Sequence, residues 1–180
     1  DLEYAKSILK KAFEKEREEN IISILEKIEK VEGNIDEDNA IYNYFKASLC
    51  FDLNKPEEAM KEIKWGIEKK NLNSYEKERM KARMKVLEQL NMPWKQRIAF
   101  ILSYIIPAEI LFEDIWKGRI EKIAENYEIN GLFKKAEEIY KMIITMGKQC
   151  QKGAFFIDQE IGGLNLEKTG YQALEKLYEK

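Results

Sequence analysis

The chain has 180 residues and a formal net charge of −2, from 31 basic and 33 acidic side chains. Only 9 glycines and 3 prolines are present, which excludes collagen-like and low-complexity classes. There is no histidine, and this excludes histidine-based general base catalysis, histidine-activated nucleophiles and histidine metal sites. The length suits one ordinary domain or a short solenoid, and we expect residues 1–180 to form a single helical-repeat domain.

Apolar residues recur with helical spacing along almost the whole chain, and strand-like alternation is absent. We therefore predict an all-α fold of about ten helices joined by short turns. In chain order, the predicted helices cover about 2–17, 20–30, 37–53, 56–70, 74–91, 93–106, 107–127, 132–146, 150–161 and 169–178.

Local signals set the predicted helix boundaries. Pro56 suits a first helical position, where its missing N–H costs nothing. The predicted N-terminal caps are Asn20, Asp36, Ser74 and Thr169. The predicted helix ends are Asn54-Lys55, Asn130-Gly131, Gly147 and Gly162-Gly163.

Two cysteines, Cys50 and Cys150, lie far apart and form no CxxC pair, so we predict no metal site. Cys50 stands among apolar residues and is interpreted as a small buried side chain, with a disulfide between the two as the alternative. The longest apolar run, 98–106, is about half of the ~20 residues that span a bilayer, so no membrane-spanning segment is predicted. The most basic stretch, 77–85, is diluted by glutamates, and nucleic-acid binding is not expected.

Small and aromatic residues are regularly spaced in one stretch near the C-terminal end. Ala124 and Ala136 would let two helices approach closely, Gly131 supplies a turn, and Tyr127 and Tyr140 fill the wedge between the helices. This pattern resembles the tetratricopeptide repeat, a helix-turn-helix unit of 34 residues, and covers about residues 117–147.

A weaker copy covers about residues 40–70, where Ala47, the turn 54–59, Ile63 and Gly66 stand at corresponding positions. Ala59 and Ala136 are 77 positions apart, which is not a multiple of 34, so the middle helices are interpreted as a diverged or lengthened unit. The resemblance implies antiparallel helix hairpins stacked as a right-handed superhelix; the alternative is a compact irregular helical bundle.

The resemblance also implies a concave groove, lined by the first helix of each unit, that holds a partner protein or peptide. The partner-binding residues implied are Tyr44, Ser48, Asp52, Glu121, Glu125 and Glu128. Two alternatives stay open: the three glutamates form a solvated face, and Tyr44 belongs to the core. Trp65, Trp94 and Trp116 are predicted to pack between repeats, with a binding hot spot as the alternative.

No glycine-rich phosphate loop, GxSxG elbow or HExxH motif is present. We therefore expect no catalytic residues, no cofactor and no enzymatic activity. The expected function is a protein- or peptide-binding scaffold. The alternative is a regulatory or sensor domain with a closed apolar pocket near Phe100, Tyr104 and Phe112. A cytoplasmic location is expected, although Asp1 is not a natural start and indicates a fragment or a processed product.

Overall fold

The computed structural model describes residues 14–28, 37–103, 119–154 and 157–180. These residues form helices and turns, with one isolated bridge between Asn39 and Asn71 and no strand. The helices are α1 (14–28), α2 (Ile41–Asp52), α3 (Pro56–Glu68), α4 (Glu76–Gln89), α5 (Trp94–Ser103), α6 (Glu121–Ile129), α7 (Phe133–Gly153) and α8 (Ile157–Tyr178). The all-α prediction is confirmed for this part of the chain. The predicted helices over 2–13 and 107–118 lie outside the described residues, as do Asp36 and Trp116.

Neighbouring helices pair as hairpins: α2 packs on α3, α4 on α5, and α6 on α7. Helix α7 also packs on α8 and on α3. The α2–α3 hairpin therefore contacts the α6–α7 hairpin directly, although α4 and α5 separate the two in sequence.

Two of the predicted turns are confirmed in detail. Pro56 is the first residue of α3. Gly131 adopts φ +71°, the left-handed conformation that glycine enters without a Cβ clash. Hydrogen bonds from Gly131 N to Glu128 O (2.9 Å) and from Leu132 N to Tyr127 O (2.8 Å) close the turn between α6 and α7.

Two predicted caps are wrong. Residues 14–28 form one continuous helix through Asn20, so that residue caps nothing. Helix α4 begins after Tyr75, which has φ +56° and no side-chain cap, instead of after a Ser74 cap. Asn73 Oδ1 accepts a hydrogen bond from Tyr75 N at 2.8 Å, and this bond shapes the entry to α4.

The predicted helix ends at Gly147 and Gly162-Gly163 are also wrong, as is the Thr169 cap, because α7 and α8 run through them. The physical reason is close contact between the two helix backbones. A Cβ built on Gly147 would lie 2.7 Å from Gly163 O, and one built on Gly163 would lie 2.7 Å from Gly147 O. At Gly170 a Cβ would lie 2.6 Å from Ile144 Cγ1. These glycines allow the helices to touch and do not end them.

Helix α7 is the centre of the core. Its buried residues are Ala136, Ile139, Tyr140, Met142, Ile143, Ile144, Met146, Gly147 and Cys150. Ala124 and Ala136 are fully buried, so the predicted close approach of α6 and α7 is confirmed. Cys50 and Cys150 are buried free thiols, as predicted for Cys50, and the disulfide alternative does not hold.

The prediction that Trp65 and Trp94 pack between repeats is wrong. Their exposed fractions are 53% and 62%. Trp65 lies off the apolar stripe of α3, and Trp94 is the first residue of α5. Among the described helices, none is long and apolar enough to cross a bilayer.

We predict that Gly163→Ala destabilises the protein. A helical alanine is normally more stable than glycine by about 0.5–1 kcal/mol. Here the new methyl group would press on the Gly147 carbonyl, and overpacking of this kind costs about 1–3 kcal/mol. Urea unfolding followed by circular dichroism measures the change, with exposed Gln172→Ala on the same helix as control. A gain in stability for Gly163→Ala would contradict the close contact.

Candidate partner-binding surface

Helix α6 carries the three predicted glutamates. Glu121 lies in its first turn, where a carboxylate interacts favourably with the helix dipole. Glu125 is exposed, whereas Glu121 and Glu128 are half-buried. The three side chains therefore share one helix but differ in their access to solvent.

Glu128 is held by two other helical segments. Its Oε1 accepts a hydrogen bond from the Tyr140 hydroxyl at 2.5 Å, and its Oε2 lies 2.5 Å from Lys180 Nζ. Burial opposes ionisation of Glu128, but the hydrogen bonds from Lys180 and Tyr140 outweigh it and lower the pKa of the carboxyl group. Glu128 thus ties α6 to α7 and to the end of the described chain, and its carboxylate is occupied within the protein.

All three glutamates act on the Tyr140 hydroxyl. Burial raises the pKa of Tyr140, and the hydrogen bond to Glu128 and the charges of Glu128, Glu125 and Glu121 raise it further. Of the three carboxylates, that of Glu128 is hydrogen-bonded to the Tyr140 phenol, whereas Glu125 and Glu121 act on it through their charge.

Glu121 and Glu125 remain available. Within the described residues, neither carboxylate has a hydrogen bond or an ion pair. Ile129, one turn beyond Glu125, is 82% exposed, and Leu132 and Phe133 at the hairpin tip are 43% and 47% exposed. The acidic side chains of α6 are thus followed by exposed apolar side chains at the turn between α6 and α7.

Tyr44 lies in the core, as the alternative interpretation held. It is fully buried, and a Cβ on Gly66 would lie 2.6 Å from its ring. Its hydroxyl donates a hydrogen bond to Gln149 Oε1, and burial raises its pKa well above the usual value. Tyr44 joins α2 to α7 and presents no surface to a partner.

Ser48 and Asp52 meet an arginine that precedes α6. Arg119 Nη2 donates to Asp52 Oδ1 at 2.7 Å, and Arg119 Nη1 lies 3.4 Å from the Ser48 carbonyl oxygen. Arg17 of α1 lies 3.3 Å from the other Asp52 oxygen. The Asp52 charge is therefore balanced by two arginines, and the end of α2 is connected to the start of α6.

The residue that joins the two hairpins was not found from the sequence. Gln149 Nε2 donates to the carbonyl oxygens of Gly66 (3.2 Å), Ile67 (3.3 Å) and Lys69 (3.0 Å) at the end of α3. The last carbonyls of a helix lack their usual N–H partners, and Gln149 supplies a donor to them; the Gly66 carbonyl also accepts a hydrogen bond from Lys69 N at 3.1 Å. A glutamine on a charged helix carries no local signal for such a role.

Asn39 fixes the other end of the α2–α3 hairpin. Its Oδ1 accepts from Ile41 N (3.1 Å) and Asn73 N (3.0 Å), and its Nδ2 donates to Asn73 O (2.9 Å). The Asn39 side chain is fully buried, and its bond to Ile41 N is shielded from water. A buried asparagine before a helix is a signal that sequence analysis could have used.

Comparison with family models, curated proteins and solved structures gives no significant match. The geometry alone therefore carries the argument. The pocket considered for a small apolar ligand includes Tyr104 and Phe112, which lie outside the described residues, while Phe100 is 41% exposed.

We predict that Glu128→Gln lowers stability by about 1 kcal/mol at pH 7, because hydrogen bonds to a charged group are lost. A lowered pKa means that the Glu128 contribution is complete above the ordinary value of about 4.3 and disappears as the pH falls through the folded-state value. The difference between wild type and variant should thus shrink on acidification. Urea unfolding from pH 7 to 3 measures it, with exposed Glu26→Gln as control. A difference that does not change with pH would contradict the ion pair.

We predict that Gln149→Leu costs about 1–3 kcal/mol, because the Tyr44 hydroxyl and the α3 carbonyls lose their shared partner. Thermal unfolding measures this loss, with exposed Lys152→Ala on the same helix as control. If Gln149→Leu melts at the wild-type temperature, the junction between the hairpins does not depend on this side chain.

Proposed function

We propose that this chain is a non-catalytic, tetratricopeptide-like scaffold that binds a basic segment of a partner protein or peptide along α6. The observation that carries the proposal is the pair of carboxylates of exposed Glu125 and half-buried Glu121, which have no ion pair within the described residues. The proposed site omits Tyr44 and Glu128, because internal contacts already occupy both.

The helix geometry supports one continuous binding face. Glu121, Glu125 and Ile129 are spaced four residues apart, so their side chains follow one another along one side of α6. Two carboxylates suit lysine or arginine, and exposed Ile129 suits an adjacent apolar side chain. We therefore expect the preferred segment to carry two basic residues followed by an apolar anchor.

The packing of the hairpins supports the tetratricopeptide-like part of the proposal. The α2–α3 and α6–α7 hairpins correspond to the two repeat-like stretches, and they contact each other through α3 and α7. Arg119 brings the ends of the two first helices, α2 and α6, together. In this proposal the hairpins stack as a right-handed superhelix, and the α4–α5 hairpin is an insertion between two units.

The expected binding is driven by charge at the rim of an interface. Such charges affect association rate and salt dependence more than final affinity. Screening by salt should therefore weaken binding strongly, because the Debye length falls to about 8 Å at physiological ionic strength.

We predict that the double variant Glu121→Lys/Glu125→Lys weakens binding of a basic peptide by about 1–3 kcal/mol, roughly 5- to 150-fold. The probe is a set of fluorescein-labelled synthetic 12-residue peptides with two adjacent lysines and a leucine, compared with glutamate-substituted versions. Fluorescence anisotropy at low and high salt measures affinity. Unfolding free energy should change by less than ~1 kcal/mol, since exposed charges contribute little.

The matched control is Glu57→Lys/Glu68→Lys, which makes the same charge change at exposed positions of α3. This control should retain most of the wild-type affinity. Equal weakening in both double variants would show a general charge effect and contradict the α6 site. Binding of the glutamate-substituted peptides as tightly as the basic ones would contradict the proposed specificity.

A further inference from the structure

Helix α8 has two apolar faces. One packs on α7 through Gly163, Gly170, Leu174 and Leu177. A second stripe lies about 100° further round the helix, beside the α7 contact, and carries exposed apolar residues at seven-residue spacing. They are Ile157 (72% exposed), Leu164 (50%), Tyr171 (50%) and Tyr178 (65%).

Apolar residues seven positions apart lie along one side of a helix, where a second helix can pack lengthwise against them. An exposed stripe of large apolar side chains is characteristic of a surface that packs against another protein element.

The hydroxyl groups of the two tyrosines on this stripe have partners on α7. The Tyr171 hydroxyl lies 3.3 Å from Lys148 Nζ, and the Tyr178 hydroxyl donates to Glu137 Oε1 at 2.8 Å. The rings themselves remain at least half exposed and offer apolar surface to a partner.

A positive and a negative side chain lie beside this row of exposed apolar residues, and their charges determine which partner can pack on it. Lys168 and Glu175 lie two helical turns apart on one side of the stripe, and both border a shallow depression formed by Leu164 and Tyr171. Both are exposed, and neither has an ion pair within the described residues. A uniformly basic or acidic partner would satisfy only one of them.

A second copy of α8 can pair with both Lys168 and Glu175. In an antiparallel pair of identical helices, side chains on the same lateral side face each other across the two-fold axis. With that axis near Tyr171, Lys168 of each copy faces Glu175 of the other, so the two ion pairs are reciprocal. Leu164 then lies against the partner's Tyr178, and the two Tyr171 rings meet at the axis.

We propose that the exposed apolar stripe of α8 forms an antiparallel homodimer interface centred on Tyr171. The proposal is independent of peptide binding on α6. Since one helix from each copy forms the contact, the interface is small and the dimer dissociates reversibly on dilution.

Sedimentation velocity of the full chain over a range of concentrations tests the proposal. Wild type should shift from monomer to dimer as the concentration rises. Lys168→Glu and Glu175→Lys should each raise the dimer Kd by roughly tenfold, because each change places like charges opposite each other. Lys176→Glu, the same kind of charge change on another side of α8, should leave the Kd within about twofold of wild type.

Two combinations of these charge changes make the test specific for the antiparallel arrangement. The double variant Lys168→Glu/Glu175→Lys should recover wild-type dimerisation, since both reciprocal pairs return with reversed polarity. An equimolar mixture of the two single variants should form heterodimers more readily than either forms homodimers. Circular dichroism confirms that each variant is folded.

Three results would each overturn the proposal. One is a wild-type chain that stays monomeric at all concentrations up to about a millimolar, where even weak contacts are populated. Another is a dimer whose Kd is insensitive to both single charge changes. The third is a failure of the double variant and of the mixture to restore association.

Discussion

The direct contact between the backbones of α7 and α8 is the constraint on which the other helix contacts depend. Glycine at Gly147 and Gly163 lets each helix present bare backbone to the other. With α8 against one side, α7 is free to use its remaining sides. It contacts α6 at Ala136 and Tyr140, and it meets α3 through Gln149. A larger residue at the crossing would displace α7 from every one of these neighbours.

The sequence predicted features whose cause is local. Helical periodicity predicted the helices, Pro56 marked the start of α3, and Gly131 marked a turn that needs positive φ. Sequence-based prediction failed where one residue type, glycine, serves two different structural purposes. Gly147 and Gly163 have the sequence appearance of helix ends, but their role is set by a helix that packs across them, and no local pattern distinguishes the two roles.

The same distinction holds for the surface. The helical spacing of α6 was enough to place Glu121, Glu125 and Glu128 on one element. It could not show that Glu128 is paired with Lys180, which is 52 positions away in sequence. Nor could it show that Gln149 would meet Tyr44 from a distance of 105 positions. Contacts of this kind follow from how hairpins pack on one another, so the repeat-like pattern could not show which of the three carboxylates is paired within the protein.

The junction at Gln149 also has a consequence for the order in which the chain folds. Contacts within each hairpin join residues close in sequence, whereas the bond from Gln149 to Gly66 closes a separation of 83 residues. Local contacts form quickly, and contacts across long separations carry a larger entropic cost and slow the process. The two hairpins should therefore assemble separately and dock late. The contact between α3 and α7 should then be the place where the native protein opens first. The two hairpins would separate there before either one loses its own helices.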